Sequence, residues 1–273
     1  MGYMAIIERC EGELFLLSHS LDTNPVDEWF RYHIHDGYEL FCLVKGKVGY
    51  VVEGHIYKLR PGAILLMRSS ESHKLIVNES DEYERYVFNF RPELFAPFSR
   101  TLLNPFTERG LGERNMYLPS ELGVSAISVF EKIFSELDVI SPRDVVLANI
   151  SSLFSSILKA FSDTSSNINA KSKSVPEEII SYINEHLSEE LSLDKISSVA
   201  HLSPSQTNRI FKEIAGTSVY DYILSKRLIL FQEKRALGKS ALEASSECGF
   251  RDYSSFYRLY KKRMGVSPTR SEK

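Results

Sequence analysis

The sequence is poor in cysteine, and its three cysteines, Cys10, Cys42 and Cys248, lie far apart. No two of them have the short spacing of a zinc-binding pair, and an odd number does not complete a disulfide framework. We interpret them as reduced structural thiols, which are typical of cytoplasmic proteins. The sequence also lacks a run of 18 apolar residues and an amino-terminal basic segment followed by an apolar one. We therefore expect neither a membrane span nor an export signal.

Strong charge of one sign is also missing, because 33 Lys and Arg residues are balanced by 36 Asp and Glu residues. The net charge of −3 is unevenly distributed, since residues 1–174 carry −5 and residues 175–273 carry +2. This mild excess permits a phosphate-binding surface in the carboxyl-terminal part without establishing one. A chain of 273 residues exceeds the usual size of a single core, so we expect two domains.

The patterning changes from strand-like to helix-like near Pro105. Between residues 13 and 90, short apolar runs separated by glycine-containing turns predict a small antiparallel barrel or sandwich. Apolar residues then recur at helical spacing in residues 122–137 and 145–161. These apolar faces have two interpretations, a core within the chain and a contact between two copies of a homodimer. The Ser-rich residues 162–174 predict a linker.

The strongest internal signal is a repeat with an offset of 49 residues. Each copy reads Ser-x3-Arg-x-aromatic-Lys-x3-Gly-x-Ser, starting at Ser205 and at Ser254. A short amphipathic helix and a turn precede each copy, which is the pattern of a helix–turn–helix unit. We place these units at about 192–216 and 240–265. One helix from Val219 to about Leu237, roughly 28 Å long, would join them and approach the length of one DNA turn.

Residues 175–270 resemble the carboxyl-terminal DNA-binding domain of the AraC/XylS family. The resemblance rests on residues of both repeats and of the helix between them: Phe211-Lys212, Gly216, Tyr222-Ile223, Arg227, Gly249-Phe250, Phe256, Arg258, Tyr260-Lys261-Lys262 and Gly265-x-Ser267-Pro268. It implies a cytoplasmic transcription regulator without enzymatic activity that binds double-stranded promoter DNA as a homodimer. It also implies contact with RNA polymerase and favours activation over repression.

The resemblance also implies roles for individual side chains. The second helix of each helix–turn–helix unit is its recognition helix, which enters the major groove of DNA. Residues expected to read base edges lie in these two helices: Ser205, Gln206, Asn208, Arg209, Tyr253, Ser254, Tyr257 and Arg258. Residues expected to contact phosphates are Lys212, Arg227, Lys261 and Lys262. The short helix before the second repeat copy departs from the family pattern, because it has small residues at Ala241, Ala244 and Ser245. In the helix that joins the two units, Phe231 stands where the family commonly has Ala. Because small residues bury little area, we expect the second unit either to be less stable than the first or to adjust on DNA.

A second candidate site lies in the predicted barrel. His33, His35 and Glu39 belong to a His-x-His-x3-Glu-x6-Gly stretch that resembles the first motif of cupin barrels, and His73 is a weaker match to the second motif. In an extended strand, residues at this even spacing would share one face. Three interpretations stay open: a pocket for an organic effector that includes Tyr50, a site for Fe, Mn, Zn or Ni, and structural histidines.

Aromatic residues around this stretch offer stacking surface that would suit a sugar: Trp29, Tyr38, Tyr50 and Tyr57. Together the patterns predict an α+β chain of two domains. A cupin-like antiparallel β-barrel at 1–110 would bind a small-molecule effector, followed by a helical dimerisation region at 111–161 and a linker at 162–174. An all-α DNA-binding domain with two helix–turn–helix units would occupy 175–273. The alternatives are a metal-dependent cupin enzyme with a helical tail and a barrel with a protein-docking helical domain. We expect no cofactor unless the barrel binds a metal.

Overall fold

The computed structural model describes residues 3–26, 29–30, 33, 35, 37–69, 71–77, 82–164, 175–215 and 217–269. The chain divides into two units, Met1–Lys171 and Ser172–Lys273, which we call the sheet unit and the helical unit. The division falls inside the range predicted as a linker. Residues 162–164 of that range are the end of a helix instead, and residues 165–174 lie outside the described residues.

The described part of the sheet unit has nine strands in two antiparallel sheets. Their bounds are β1 Tyr3–Gly12, β2 Phe15–Thr23, β3 Tyr38–Lys45, β4 Val48–Val52, β5 His55–Lys58, β6 Ile64–Met67, β7 His73–Val77, β8 Glu82–Phe90 and β9 Met116–Tyr117. One sheet has the strand order β1-β2-β8-β3-β6-β9 and the other has the order β5-β4-β7. Apolar side chains from both sheets, such as Phe41, Leu65, Val52 and Leu75, form one buried cluster.

Two strands correct the sequence prediction. β1 precedes the predicted strand region and was missed, because it lies at the edge of the sheet with most of its residues exposed and shows no regular alternation. β9 lies within residues 111–161, which were predicted as helical, and it pairs with β6. A strand of two residues carries too little periodic pattern to be predicted from sequence.

Helices pack on the outer face of the six-stranded sheet. Their bounds are α1 Asn104–Thr107, α2 Pro119–Leu122, α3 Ala126–Glu136 and α4 Pro142–Thr164, after two short 3-10 helices at Pro92–Phe95 and Arg100–Leu103. Phe130 of α3 stacks on Tyr86 with ring centroids 5.0 Å apart, and Phe154 of α4 meets Phe90 edge to face at 5.6 Å. Both helices therefore contribute their apolar faces to the core of their own unit.

This packing changes the interpretation of residues 122–161. Their apolar stripe supplied the reason for a dimer contact, but Ile133, Val146 and Ile150 are fully buried within a single chain. The α4 segment Pro142–Asp163 is long and apolar enough to cross a membrane by length and composition alone. Half of that segment is buried against the rest of the unit, which is the packing of a core helix.

The described part of the helical unit consists of six helices. Their bounds are α5 Val175–Glu185, α6 Leu193–Val199, α7 Pro204–Ala215, α8 Val219–Ala236, α9 Ala241–Glu247 and α10 Tyr253–Met264. Five of them, α6 to α10, are the helices expected from the repeat, with α6–α7 and α9–α10 as the two helix–turn–helix pairs and α8 between them. The predicted α+β class, with an antiparallel sheet domain followed by helices and an all-α domain, is confirmed.

Candidate functional site

The first helix–turn–helix pair is held by side-chain caps. Ser192 caps α6 by accepting a hydrogen bond from the Lys195 backbone N–H at 3.3 Å. At the start of α7, the Ser203 hydroxyl accepts from the Gln206 N–H at 3.3 Å, while the Gln206 side-chain oxygen accepts from the Ser203 N–H at 3.1 Å. This reciprocal capping box satisfies two backbone donors and sets the position at which the recognition helix begins.

The second pair has the same construction with different residues. Ser240 and Glu243 form a capping box at the start of α9. Asp252 caps α10 by accepting from the Ser255 N–H at 2.7 Å. Hydrogen bonds from the Ser255 side chain and, to a lesser extent, from its backbone lower the pKa of this carboxylate. The cap was not identified in the sequence, although an Asp directly before a predicted helix is a recognisable signal.

Equivalent positions of the two recognition helices are exposed. Ser205 and Arg209 in α7 correspond to Ser254 and Arg258 in α10, and all four are exposed. Tyr253 and Tyr257 are half-buried, with their ring centroids 6.4 Å apart. The basic residues at or near the end of each recognition helix are also exposed: Lys212, Lys261 and Lys262.

Two predicted base readers have an additional structural contact. The side-chain oxygen of Gln206 belongs to the Ser203 capping box, and the side-chain oxygen of Asn208 accepts from the Val219 N–H at 3.3 Å. Asn208 therefore links α7 to the first residue of α8. An amide has two donors in addition to its oxygen, so base contact through these nitrogens stays a prediction for both residues.

Arg227 has a structural position instead of the predicted phosphate contact. Its guanidinium donates to the carbonyl oxygens of Leu187 at 2.9 Å, Gly249 at 3.0 Å and Glu189 at 2.6 Å. Burial lowers its pKa. The three bonds join α8, the segment after α5 and the turn of the second helix–turn–helix, so the guanidinium fork is committed to backbone oxygens.

Gly249 is required for this arrangement. Its φ of +82° lies in the left-handed region, and a Cβ at this position would lie 2.8 Å from a guanidinium nitrogen of Arg227 and 3.0 Å from the carbonyl oxygen of Ser188. The turn between α9 and α10 thus depends on a residue without a side chain.

The small residues of α9 are compensated by a large neighbour. Ala241 and Ala244 belong to a buried cluster with Phe231, whose ring is fully buried. The Phe231 ring lies 4.7 Å from Phe256 and 5.1 Å from Tyr260, centroid to centroid. Phe231 therefore fills the volume that the small residues leave, which removes the reason for expecting a less stable second unit.

In the sheet unit, the structure brings His33, His35, Glu39 and His73 together by a different route from the one predicted. His33, His35 and Glu39 do not share the face of one strand, because β3 begins only at Tyr38 and Gly37 interrupts the extended chain with a φ of +117°. His33 instead forms a two-bond backbone bridge with His73, at 3.1 and 3.0 Å.

The potential ligand atoms of these four residues, which we call the histidine cluster, all lie within 4.8 Å of one another. The ring of His73 lies 4.3 Å from that of His33 and 5.0 Å from that of His35, centroid to centroid. Nε2 of His35 lies 3.1 Å from Oε2 of Glu39. Glu39 and His73 are buried, His35 is half-buried and His33 is exposed, so the cluster reaches the surface on the His33 side.

The two buried members have shifted pKa values. Burial acts to raise the pKa of Glu39, but the hydrogen bond with His35 and the electrostatic effect of the three histidines outweigh it and lower the pKa. Burial lowers the pKa of His73 to about 4, against the opposing effect of Glu39. Near neutral pH, the cluster therefore contains an ionised carboxylate beside an uncharged imidazole.

The tautomer of His73 follows from its backbone contact. Nδ1 lies 2.9 Å from the carbonyl oxygen of Glu71, which can only accept a hydrogen bond. A neutral ring must therefore carry its proton on Nδ1 and a lone pair on Nε2. That Nε2 atom is buried and has no hydrogen-bond partner in the described part of the chain.

Glu71 also connects the cluster to a neighbouring loop. Its carboxylate accepts from both terminal nitrogens of Arg109, at 2.5 and 2.7 Å, from the Gly112 N–H at 2.9 Å and from the Asn115 side chain at 3.1 Å. Arg114 of the same loop donates to the carbonyl oxygen of Phe161, near the end of α4. No sequence motif indicated Glu71, because its partners are distant along the chain.

Two of the four aromatic residues predicted to form a stacking surface have other partners. Tyr38 stacks on Phe106 at 5.0 Å in the core under the helices, and the Tyr57 hydroxyl donates to the carbonyl oxygen of Gly112. Tyr50 does lie near the cluster, with its ring 6.3 Å from that of His73. Of the predicted pocket residues, the structure thus keeps Tyr50 beside the histidines and directs the other tyrosines elsewhere.

Comparison with known proteins identifies both units. Residues 22–142 match the family described as AraC-like ligand binding domain, and residues 196–273 match the family described as Helix-turn-helix domain. Among solved structures, ToxT from Vibrio cholerae aligns over 94% of this chain and 96% of its own, at 18% identity and a TM-score of 0.42.

Curated relatives fall into two groups. The transcriptional regulator LumQ of Photobacterium leiognathi, described as probable, is 38% identical over 34% of this chain, and the match covers only 38% of LumQ. The transcriptional activator RhaR of Mannheimia succiniciproducens is 22% identical over 88% of this chain and 86% of its own length. With a ligand-binding domain match, a helix–turn–helix match and relatives of this kind along its length, the chain belongs to the AraC/XylS family.

Proposed function

We propose that this chain is a sequence-specific transcription regulator, and an activator, that responds to a small molecule bound in the sheet unit. The observation that carries the proposal is the pair of equivalent helix–turn–helix units, each of which presents an exposed Ser and an exposed Arg at the same two positions of its recognition helix. The 18 residues of α8 give a spacer of roughly 27 Å, close to one DNA turn of about 34 Å.

We place the effector at His33, His35, Glu39, His73 and Tyr50. A ligand there would act on His73, whose backbone partner Glu71 also orders the 109–115 loop, and that loop contacts the end of α4. For regulation to result, the ligand must bind one arrangement of these contacts more tightly than another. We also propose that the chain contacts RNA polymerase and lies in the cytoplasm. Relatives described as transcriptional activators support activation over repression.

Genome-wide mapping of bound DNA in the native host tests the regulator proposal directly. We expect discrete sites upstream of a small set of genes, and the products of those genes would indicate the pathway of the effector. Uniform background binding, or no binding above a strain that lacks the protein, would refute sequence-specific regulation.

Substitution of Arg209 by alanine is expected to weaken binding to the specific site by about 1–3 kcal/mol and binding to random DNA much less. The reason is that an Arg in the major groove pairs with guanine, whereas random DNA is bound through phosphates. Competition gel shifts on both DNAs measure the two losses.

Lys212→Ala is the matched control, because Lys212 is exposed in the same helix and is assigned to phosphate. We expect it to weaken binding to both DNAs equally and to reduce the salt slope by about 1. Equal losses on both DNAs for Arg209→Ala would show that Arg209 also contacts only phosphate.

A homodimer is the proposed oligomeric state, because two copies double the number of DNA half-sites that one regulator reads. Sedimentation of the full chain at micromolar concentration should give twice the chain mass of 31.2 kDa. A free protein at the mass of one chain, together with a complex that has the mass of one chain plus the operator DNA, would contradict the dimer.

A further inference from the structure

The histidine cluster contains a buried lone pair that no group of the described protein satisfies. Nε2 of His73 lies inside the protein without a hydrogen-bond partner. Buried polar atoms are almost always paired, so an exception calls for an explanation. Here the unpaired atom belongs to a residue of the histidine cluster, in which one potential ligand atom from each of the four residues lies within 4.8 Å of the others.

The contact behind His73 is the one that metal-binding histidines use. A histidine that ligates a metal through one ring nitrogen usually donates its other N–H to a carboxylate or a backbone carbonyl, which fixes the ring and its tautomer. In His73, Nδ1 contacts the carbonyl oxygen of Glu71, and the Glu71 side chain is itself held by Arg109 and Gly112. The orientation of Nε2 is thus fixed before any ligand binds.

We propose that His33, His35, Glu39 and His73 bind a divalent transition-metal ion. This ion is the effector itself or the part of the effector that these side chains bind. This inference rests on the proposed function in placing the effector here. An ion would accept the lone pair of His73 and neutralise the buried carboxylate of Glu39 in one step. If the four side chains had only a structural role, the burial of His73 Nε2 without a hydrogen-bond partner would have no explanation.

The donor set indicates the class of ion. Three imidazole nitrogens and one carboxylate oxygen suit Zn²⁺, Ni²⁺, Co²⁺, Fe²⁺ or Mn²⁺, whereas Ca²⁺ and Mg²⁺ prefer sites built of oxygen atoms. Metal–ligand bonds of about 2.0–2.2 Å place ligands on opposite sides of an ion about 4.2 Å apart. The longest separation in the cluster, up to 4.8 Å, needs to close by fractions of an ångström if its two ligands lie on opposite sides of the ion. Around a tetrahedral ion, where neighbouring ligands lie about 3.3–3.6 Å apart, side-chain rotation has to close it by about 1.2–1.5 Å.

The test is a titration of the full-length, tag-free, chelator-treated chain with Co²⁺, Zn²⁺ and Ni²⁺ salts. We expect one ion per chain, cobalt absorption bands typical of nitrogen ligation, and displacement of cobalt by zinc. Millimolar Mg²⁺ or Ca²⁺ should produce no displacement. A chain that binds no stoichiometric transition metal overturns the proposal.

Variants locate the site. His73→Gln and Glu39→Gln should each weaken cobalt binding by about 100-fold or more, since loss of even a supporting residue costs up to that factor. His19→Gln is the matched control: His19 contacts two carboxylates of the same unit, Glu8 and Glu84, but does not belong to the cluster. The His19→Gln variant should bind cobalt with the same affinity as the wild-type chain. Equal weakening in all three variants, or unchanged binding in the cluster variants, overturns the assignment.

Folding and DNA binding are measured separately. Fluorescence of Trp29, the only tryptophan of the chain, checks that each variant keeps the fold of the sheet unit. If His73→Gln does not fold, His35→Gln replaces it, because His35 is only half-buried. A wild-type chain that binds its operator but no metal refutes the metal site and leaves the regulator proposal intact, whereas one that binds metal but no specific DNA refutes the regulator.

Discussion

Replacement of Glu71 by glutamine is expected to destabilise the sheet unit by about 3–5 kcal/mol, which is the usual cost of removing one partner of a buried ion pair. The side chains of Glu71 and Arg109 are 0% and 1% exposed. Glutamine keeps the shape but leaves the guanidinium without its counter-charge and places an amide donor against other donors. The 109–115 loop and the backbone behind His73 are expected to loosen together.

Trp29 makes the measurement specific, because it is the only tryptophan of the chain and lies in the sheet unit. Its fluorescence in a urea titration reports unfolding of that unit. The control is Glu11→Gln, the same substitution in an exposed ion pair with Arg9, whose expected cost is less than about 1 kcal/mol. Similar losses from Glu71→Gln and Glu11→Gln would contradict the role of the buried pair.

A double variant separates the charge from the shape. In Glu71→Gln with Arg109→Met neither buried charge remains, so its loss of stability should be smaller than the sum of the two single losses. Strict additivity would show that the ion pair is not the source of the effect.

Substitution of Arg227 by alanine is expected to destabilise the helical unit by about 2–4 kcal/mol. Three charge-assisted hydrogen bonds to backbone carbonyl oxygens are lost, and the contact between α8 and the turn at Gly249 is opened. Arg227→Lys should recover little, because an ammonium cannot reproduce the planar fork that reaches three separate oxygens. DNA binding should fail as a consequence of unfolding.

Urea unfolding is followed by the circular dichroism of the helices and, for the sheet unit, by Trp29 fluorescence. A loss of stability in the first signal but not in the second assigns the effect to the helical unit. Arg251→Ala is the matched control, because Arg251 lies close by but forms an exposed ion pair with Glu190. Its expected cost is below about 1 kcal/mol. If Arg227→Ala left unfolding unchanged and only reduced the salt slope of DNA binding, the phosphate contact expected from the sequence would be correct after all.

The helical unit was predictable almost residue by residue because its signals are local. The start of α10 near Tyr253, the end of α8 near Leu237 and the turn at Gly249 follow from the repeat, helical spacing and glycine positions within a few residues. The role of Arg227 was not predictable. A basic side chain looks the same in a sequence whether it contacts phosphate or three backbone carbonyl oxygens.

The histidine cluster shows the same division. The sequence predicted which four residues belong together but assigned His33, His35 and Glu39 to the face of one strand, whereas a bridge between His33 and His73 assembles the cluster. The apolar faces of α3 and α4 were correctly identified, and only their packing against the sheet decided that they are core.

By itself, the sequence determined the two-part organisation and the repeated helix–turn–helix units, and it predicted the four residues of the histidine cluster, because periodicity, repeats and motifs act over short distances along the chain. Tertiary structure alone decided the partners of Glu71 and Arg227, the compensation of Ala244 by Phe231 and the lone pair of His73. Each of these depends on atoms that are far apart in the chain and are brought together only when the core closes around them.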